Sequence, residues 1–240
     1  MTKLEQHRQI WRKKPVLQKI YQQEFFDRLT RYRVLGRTLE VGGGPGYYKE
    51  YQPEVISSDI QKTHWLDLVV DCQRIPFTEG SFANIVGLDV FHHISDPLSF
   101  LREAARVLRP GGRLILVEPW ITPFAYLIYR YLHQEACFLD WQPGEVLGDE
   151  KDPFDANSAQ PYLVFERYWE QIRETIPVLR LVLIERFSLF AYLLSFGFKP
   201  VSLLPKQLYP IVSSVERATK PLWEHIAALR ALIVVERTAE

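Results

Sequence analysis

Between Leu39 and Tyr48 the chain reads Leu-Glu-Val-Gly-Gly-Gly-Pro-Gly-Tyr-Tyr, placing Glu40 ahead of glycines at 42, 44 and 46. The apolar run Thr38–Val41 just before it reads as a strand, and a glycine-rich bend leaving a strand lets a ligand approach backbone N–H groups at the start of the next helix. Such a bend commits the chain to alternating strands and helices and to a polar or anionic ligand at the bend. Spacing narrows the ligand. A dinucleotide fingerprint G-x-G-x-x-G fails in both registers, since its third glycine would fall on Tyr47 or Lys49. No Gly-Lys-Ser/Thr follows, so a phosphate-gripping P-loop fails as well.

Further apolar runs bounded by turn residues are predicted strands at Val55–Asp59, Leu66–Asp71, Ala83–Asp89 and Arg113–Glu118, with a last one at Ala231–Val235. Between them, Pro97–Leu108 reads as a helix capped by Asp96, its apolar face formed by Leu98, Leu101, Ala105 and Leu108, with Gly111-Gly112 beyond its end. A helix over Leu189–Ser195, a turn at Gly197 and a strand near Pro200–Leu204 complete the pattern. The fold class is thus α/β: a Rossmann-like, mostly parallel sheet with helices on both faces.

Two segments depart from the alternation. Residues 1–35 hold nine Lys and Arg against three acids, and Val16, Leu17, Ile20, Tyr21, Phe25 and Leu29 recur at helical spacing. This N-terminal helical extension is read as covering the domain's edge with its charges solvated, with contact to a membrane surface or an anionic substrate as the alternative. The remaining domain, residues 36–240, carries a lid-like insertion at about 119–187. Residues 119–198 hold 17 of the 32 aromatics, and seven acids between His133 and Gln160, Asp149 and Glu150 among them, face one base, Lys151.

A formal charge of zero over 240 residues gives no global attraction to polyanions, which argues against nucleic-acid partners. The two cysteines, Cys72 and Cys137, form no C-x-x-C pair, which argues against a thiolate metal site and for a reducing compartment. The leading residues lack the apolar core of a signal peptide, and the longest charge-free apolar stretch, Phe187–Phe198, has 12 residues, too few for a membrane span. A cytoplasmic protein is expected. The sequence sets no oligomeric state.

From residue 37 to 118 the ordered motifs resemble those of the class I S-adenosylmethionine-dependent methyltransferases, in the small-molecule branch similar to quinone methyltransferases. Glu40-x-Gly42-x-Gly44-x-Gly46 matches that family's first motif, Ser57-Ser58-Asp59-Ile60 its second-strand end, Val70-Asp71-Cys72 its third, and Asp89-Val90-Phe91-His92-His93 its fourth. The resemblance implies a seven-stranded sheet, S-adenosyl-L-methionine as cofactor and a small-molecule methyl acceptor. It also implies roles for single residues. Asp59 would hold the ribose hydroxyls, Ile60 would lie against adenine, and Asp71 would accept from the adenine amino group with the Cys72 N–H nearby. Gly42, Gly44, Gly46 and Asp89 complete the cofactor set. Physical chemistry agrees for the acids. Glu40 suits the cofactor's ammonium, Asp59 offers two acceptor oxygens to vicinal hydroxyls, and all the strand-end acids lie on the edge where parallel sheets bind ligands.

The implied reaction is in-line methyl transfer from a sulfonium, which asks the protein for alignment and exclusion of water and needs no metal. A base helps when the acceptor is neutral, and His93, then His92, are the candidates; Tyr126, Tyr129 and His133 are weaker ones. No metal site is expected, because adjacent side chains such as His92 and His93 do not normally share a face and His133-Gln134-Glu135 reads as surface. Phe124, Tyr126, Leu127, Ile128, Tyr129 and Leu132 are read as lid core or as the wall of an apolar acceptor pocket. Two other classes compete: a non-catalytic cofactor-binding or scaffold protein on the same fold, and a nicotinamide oxidoreductase, which the glycine spacing opposes.

Overall fold

A computed structural model describes residues 2–146 and 152–239. Of the acidic stretch, Asp149, Glu150 and Lys151 lie outside the described residues. Seven strands form one sheet: β1 Thr38–Val41, β2 Ile56–Asp59, β3 Leu68–Val69, β4 Phe82–Leu88, β5 Leu108–Pro119, β6 Leu179–Phe187 and β7 Arg230–Arg237. Their order across the sheet is β3-β2-β1-β4-β5-β7-β6. The first five are parallel, while β7 runs antiparallel to both β5 and β6. The strand order reverses beside β1, so the loops after β1 and β4 open on one crevice at the C-terminal edge.

The helices are α1 Lys3–Lys13, α2 Pro15–Ile20, α3 Asp27–Arg31, α4 Tyr47–Tyr51, α5 Pro97–Val107, α6 Pro123–Tyr131, α7 Gln160–Tyr162, α8 Trp169–Thr175, α9 Phe190–Ser195 and α10 Tyr209–Ala227. A widened helical turn, Tyr21–Phe26, joins α2 to α3. Strand side chains alternate between two cores. Ile85, Leu114, Leu116, Ile233 and Val235 point into one with α5 and α8, whereas Val86, Ile115, Val117, Leu232 and Val234 point into the other. Asp96 caps α5 as expected, accepting from the N–H groups of Leu98 and Ser99 at 3.1 and 3.0 Å.

The second core is built by the leading helices. Leu17, Phe25, Phe26 and Leu29 are buried against the sheet, so the extension covers a whole face and not an edge. Each such side chain contributes about 1.5–3 kcal/mol by leaving water. Lys14 fixes this layer to the far end of the chain, its ammonium donating to the carbonyls of Ser195, Gly197, Lys199 and Val201.

Three expectations about the strands fail. The strand predicted near Pro200–Leu204 is irregular, and the sixth strand is Leu179–Phe187, inside the segment read as insertion. β6 lies on the sheet's edge and is only partly covered, so its charged and apolar residues mix without a clean run. The third strand also shrinks, from the predicted Leu66–Asp71 to Leu68–Val69, an exposed two-residue edge.

Candidate functional site

The bend after β1 is shaped by close packing. A Cβ on Gly42, whose φ is +64°, would stand 2.1 Å from Val90 Cγ2, and one on Gly46, φ +77°, would stand 2.8 Å from the Trp65 ring. The first contact presses the loop after β4 against the glycine bend; the second seats the bend on residues 61–65. Trp65 adds an indole hydrogen bond to the Gly44 carbonyl at 2.8 Å. Helix α1 lies along the same bend, with Leu4 beside Gly44, Arg8 donating to the Pro45 carbonyl, and Trp11 stacked 4.0 Å from Tyr47.

Two carboxylates converge here. Glu40, at the end of β1, is buried and accepts from the Ser57 hydroxyl; among the described residues it has no ion-pair partner. Burial is the main cause that raises its carboxyl from 4.5 to about 7, against the lowering by the Ser57 bond. Asp59, at the end of β2, is also buried, and its two oxygens accept from the N–H groups of Gly44 and Gln61, each at 2.8 Å. Its pKa is raised by burial, with the backbone donors opposing.

The other expected cofactor residues are placed less uniformly. Ile60 is 54% exposed beside Asp59, a bare apolar surface at the rim. Asp71 is exposed and accepts from the Gln73 N–H at 2.9 Å, while Cys72 is half-buried with its thiol pushed upward by burial. Asp89 sits at φ +53° and pairs with buried Arg230 of β7.

Beyond Val90 the chain turns through Phe91–His93. His92 is 2% exposed, and its Nδ1 lies 2.6 Å from Glu118 Oε2 at the end of β5. The other Glu118 oxygen accepts from the N–H groups of Val90 and Phe91 at 2.9 and 2.7 Å. Burial alone would lower the His92 pKa, but the charge and hydrogen bond of Glu118, then Glu135, outweigh it and raise it to about 10. His92 is therefore an imidazolium at neutral pH and has no lone pair for an acceptor's proton. His93 is half-buried, with Nδ1 3.0 Å from the Asp155 carbonyl. The two rings face each other at 4.2 Å, so the expectation that adjacent histidines point apart fails in this tight turn.

Residues 39–116 match the family described as a methyltransferase domain. That segment is similar to a methyltransferase domain. It is 42% identical over 53 residues to 27-O-demethylrifamycin SV methyltransferase of Amycolatopsis mediterranei, covering 22% of this chain and 20% of that protein. It is 33% identical over 98 residues to a ubiquinone/menaquinone biosynthesis C-methyltransferase of Geotalea daltonii, covering 41% of this chain and 40% of the relative. The chain thus spans well under two thirds of the length of these curated relatives. The fold is similar to that of a SAM-dependent methyltransferase from Thermotoga maritima, with a TM-score of 0.58, 14% identity, and 95% of each chain covered.

Around this site, sequence reasoning missed Glu118, Glu135 and Arg230. Glu118 had a readable signal: a carboxylate ending the apolar run Leu114–Val117 of an inner strand must be neutralised by a partner. Arg230 and Glu135 had none, because their partners lie far away in sequence. Tyr129 is structural, buried and donating to the Leu229 carbonyl. The aromatic helix α6 divides by face: Tyr129 is buried, while Phe124, Leu127 and Leu132 are exposed.

Proposed function

We propose that the protein is an S-adenosylmethionine-dependent methyltransferase acting on a small-molecule acceptor of aromatic or lipid-like character. The observation that carries this reading is Glu40: a buried carboxylate without an ion-pair partner among the described residues, the nearby Lys49 being paired with Asp67, and facing a glycine bend already tied to Asp59. A ligand with an ammonium at one end and vicinal hydroxyls further along fits that pair. When bound, S-adenosylmethionine supplies an electrophilic methyl group on sulfur. Glu40 holds the ammonium, Asp59 the ribose hydroxyls, and Ile60 and Asp71 flank the adenine.

The acceptor approaches over the loop after β4, which Val90 packs against Gly42. His93 is the proposed proton acceptor there, since its neighbour is already charged. Exposed Phe124 and Leu127 on α6, which follows β5 at the same sheet edge, give an apolar approach for the acceptor. The quinone-ring relative supports this acceptor class. Among the described residues no helix is long and apolar enough to cross a membrane. The setting we propose is the cytoplasm, consistent with free Cys72 and Cys137.

The test is calorimetric titration with S-adenosylhomocysteine and, in parallel, NADH. Micromolar binding of the first and none of the second is expected; the opposite pattern, or no binding of either, refutes the reading.

A further inference from the structure

The segment after α6 brings Glu135 onto the histidine pair. Its carboxylate oxygens lie 3.3 Å from His92 Nε2 and 3.8 Å from His93 Nε2, and His133 Nδ1 lies 3.7 Å away on the exposed side. The stretch read as surface from its sequence thus carries a half-buried acid surrounded by three imidazoles. We propose that His92, His93 and Glu135 form a binding site for a divalent transition-metal ion of the zinc type, with His133 at its open side.

Three features support it. The first is spacing. Ligand atoms about 2.0–2.2 Å from a tetrahedral ion stand about 3.4 Å from one another, and the observed separations of 3.3 and 3.8 Å bracket that value. The second is tautomer. The Nδ1 of His92 is engaged by Glu118 at 2.6 Å and the Nδ1 of His93 by the Asp155 carbonyl at 3.0 Å, and Nε2 of each ring lies toward Glu135. A carboxylate or carbonyl on the far nitrogen is how metal-binding imidazoles are oriented and made more basic. The third is the acid surplus: two carboxylates, Glu118 and Glu135, flank the buried His92 ring on its two nitrogens.

The neighbouring group of Asp89, His92 and Glu118 does not serve as an alternative site. Asp89 is held by Arg230, and both oxygens of Glu118 are engaged, one by two backbone N–H groups and the other by the imidazole. Two imidazoles and one carboxylate leave at least one coordination position open, as in catalytic and not structural sites. An acceptor hydroxyl placed there would be acidified by the ion and release its proton to solvent, with His93 serving as a ligand and not as the base. The metal site itself does not depend on the methyl-transfer reading.

The test uses the whole chain, stripped with EDTA and titrated with Co2+, read by its visible d–d absorption, and with Zn2+ by calorimetry. One ion per chain is expected with a tetrahedral-type Co2+ spectrum, and Glu135→Gln and His93→Ala should each weaken binding at least tenfold while keeping the melting temperature within a few degrees. X-ray absorption on the Zn2+-loaded wild-type protein should show imidazole nitrogen and carboxylate oxygen ligands whether or not the variants fold. Absence of stoichiometric binding, binding that both variants retain, or a first shell without imidazole overturns the proposal. S-adenosylhomocysteine binding, measured on the same stripped protein, reports separately on the cofactor reading.

Discussion

Titrating S-adenosylhomocysteine into the protein from about pH 5 to about pH 8.5 probes the assignment of Glu40 to the ligand's ammonium, because that carboxyl is protonated in the free protein over half of the range. Burial lifts it from 4.5 to about 7. At about 1.4 kcal/mol per pH unit, this corresponds to about 3 kcal/mol disfavouring the buried charge. For an acid raised on folding, the free protein is most stable below 4.5 and loses that contribution as pH rises through 7. Ligand binding has the opposite sign. An ammonium partner needs the carboxylate, so below pH 7 association expels a proton and affinity falls about tenfold per pH unit; above pH 7 it levels off. Calorimetry in two buffers of different ionisation enthalpy counts the proton directly. In Glu40→Gln this slope disappears, affinity near pH 8 drops at least tenfold, and the ligand-free protein gains up to about 3 kcal/mol at that pH because no charge is buried. A flat affinity between pH 5 and 7 without proton release, or a glutamine variant that binds as the parent does, refutes the assignment.

Three further outcomes are expected. Asp59→Ala removes the acceptor of two backbone N–H groups and of the proposed ribose hydroxyls; losing two charge-assisted bonds at about 1.5–3 kcal/mol each lowers S-adenosylhomocysteine affinity at least a hundredfold by calorimetry, and unchanged affinity contradicts the ribose role. His93→Ala lowers turnover with a methyl acceptor far more than it lowers cofactor affinity, and a fully active variant removes His93 from the chemistry. Lys14→Met leaves buried carbonyls between residues 195 and 201 without their donor and costs about 3 kcal/mol in urea unfolding; a midpoint within error of the parent means that the ammonium cage contributes nothing.

The glycine bend and the inner strands were legible because they obey local rules: Thr38–Val41, Ala83–Asp89 and Arg113–Glu118 read as short apolar runs, as strands covered on both faces do. β6 was not. Half-exposed at the edge, Leu179–Phe187 intersperses Arg180, Glu185 and Arg186 among its apolar residues, and its place depends on pairing with β7 about fifty residues later. At the site, Glu40 and Asp59 were legible from position in a motif. The Asp89–Arg230 pair was not legible, since Arg230 lies 141 residues away and nothing local announces a partner that far off. The histidine cluster hid for the same reason. Glu135 belongs to an irregular segment whose route is set by packing, and no spacing rule relates it to His92.

The order β5-β7-β6 has a consequence for how the protein is made. β6 touches the sheet solely through β7 among the described residues, yet it leaves the ribosome first. Until β7 emerges, β5 presents an open row of unpaired amides and β6 has no place to dock. A nascent chain paused before Arg230 is thus a sticky, half-zipped particle, and its synthesis favours either fast completion or a chaperone that shields that seam.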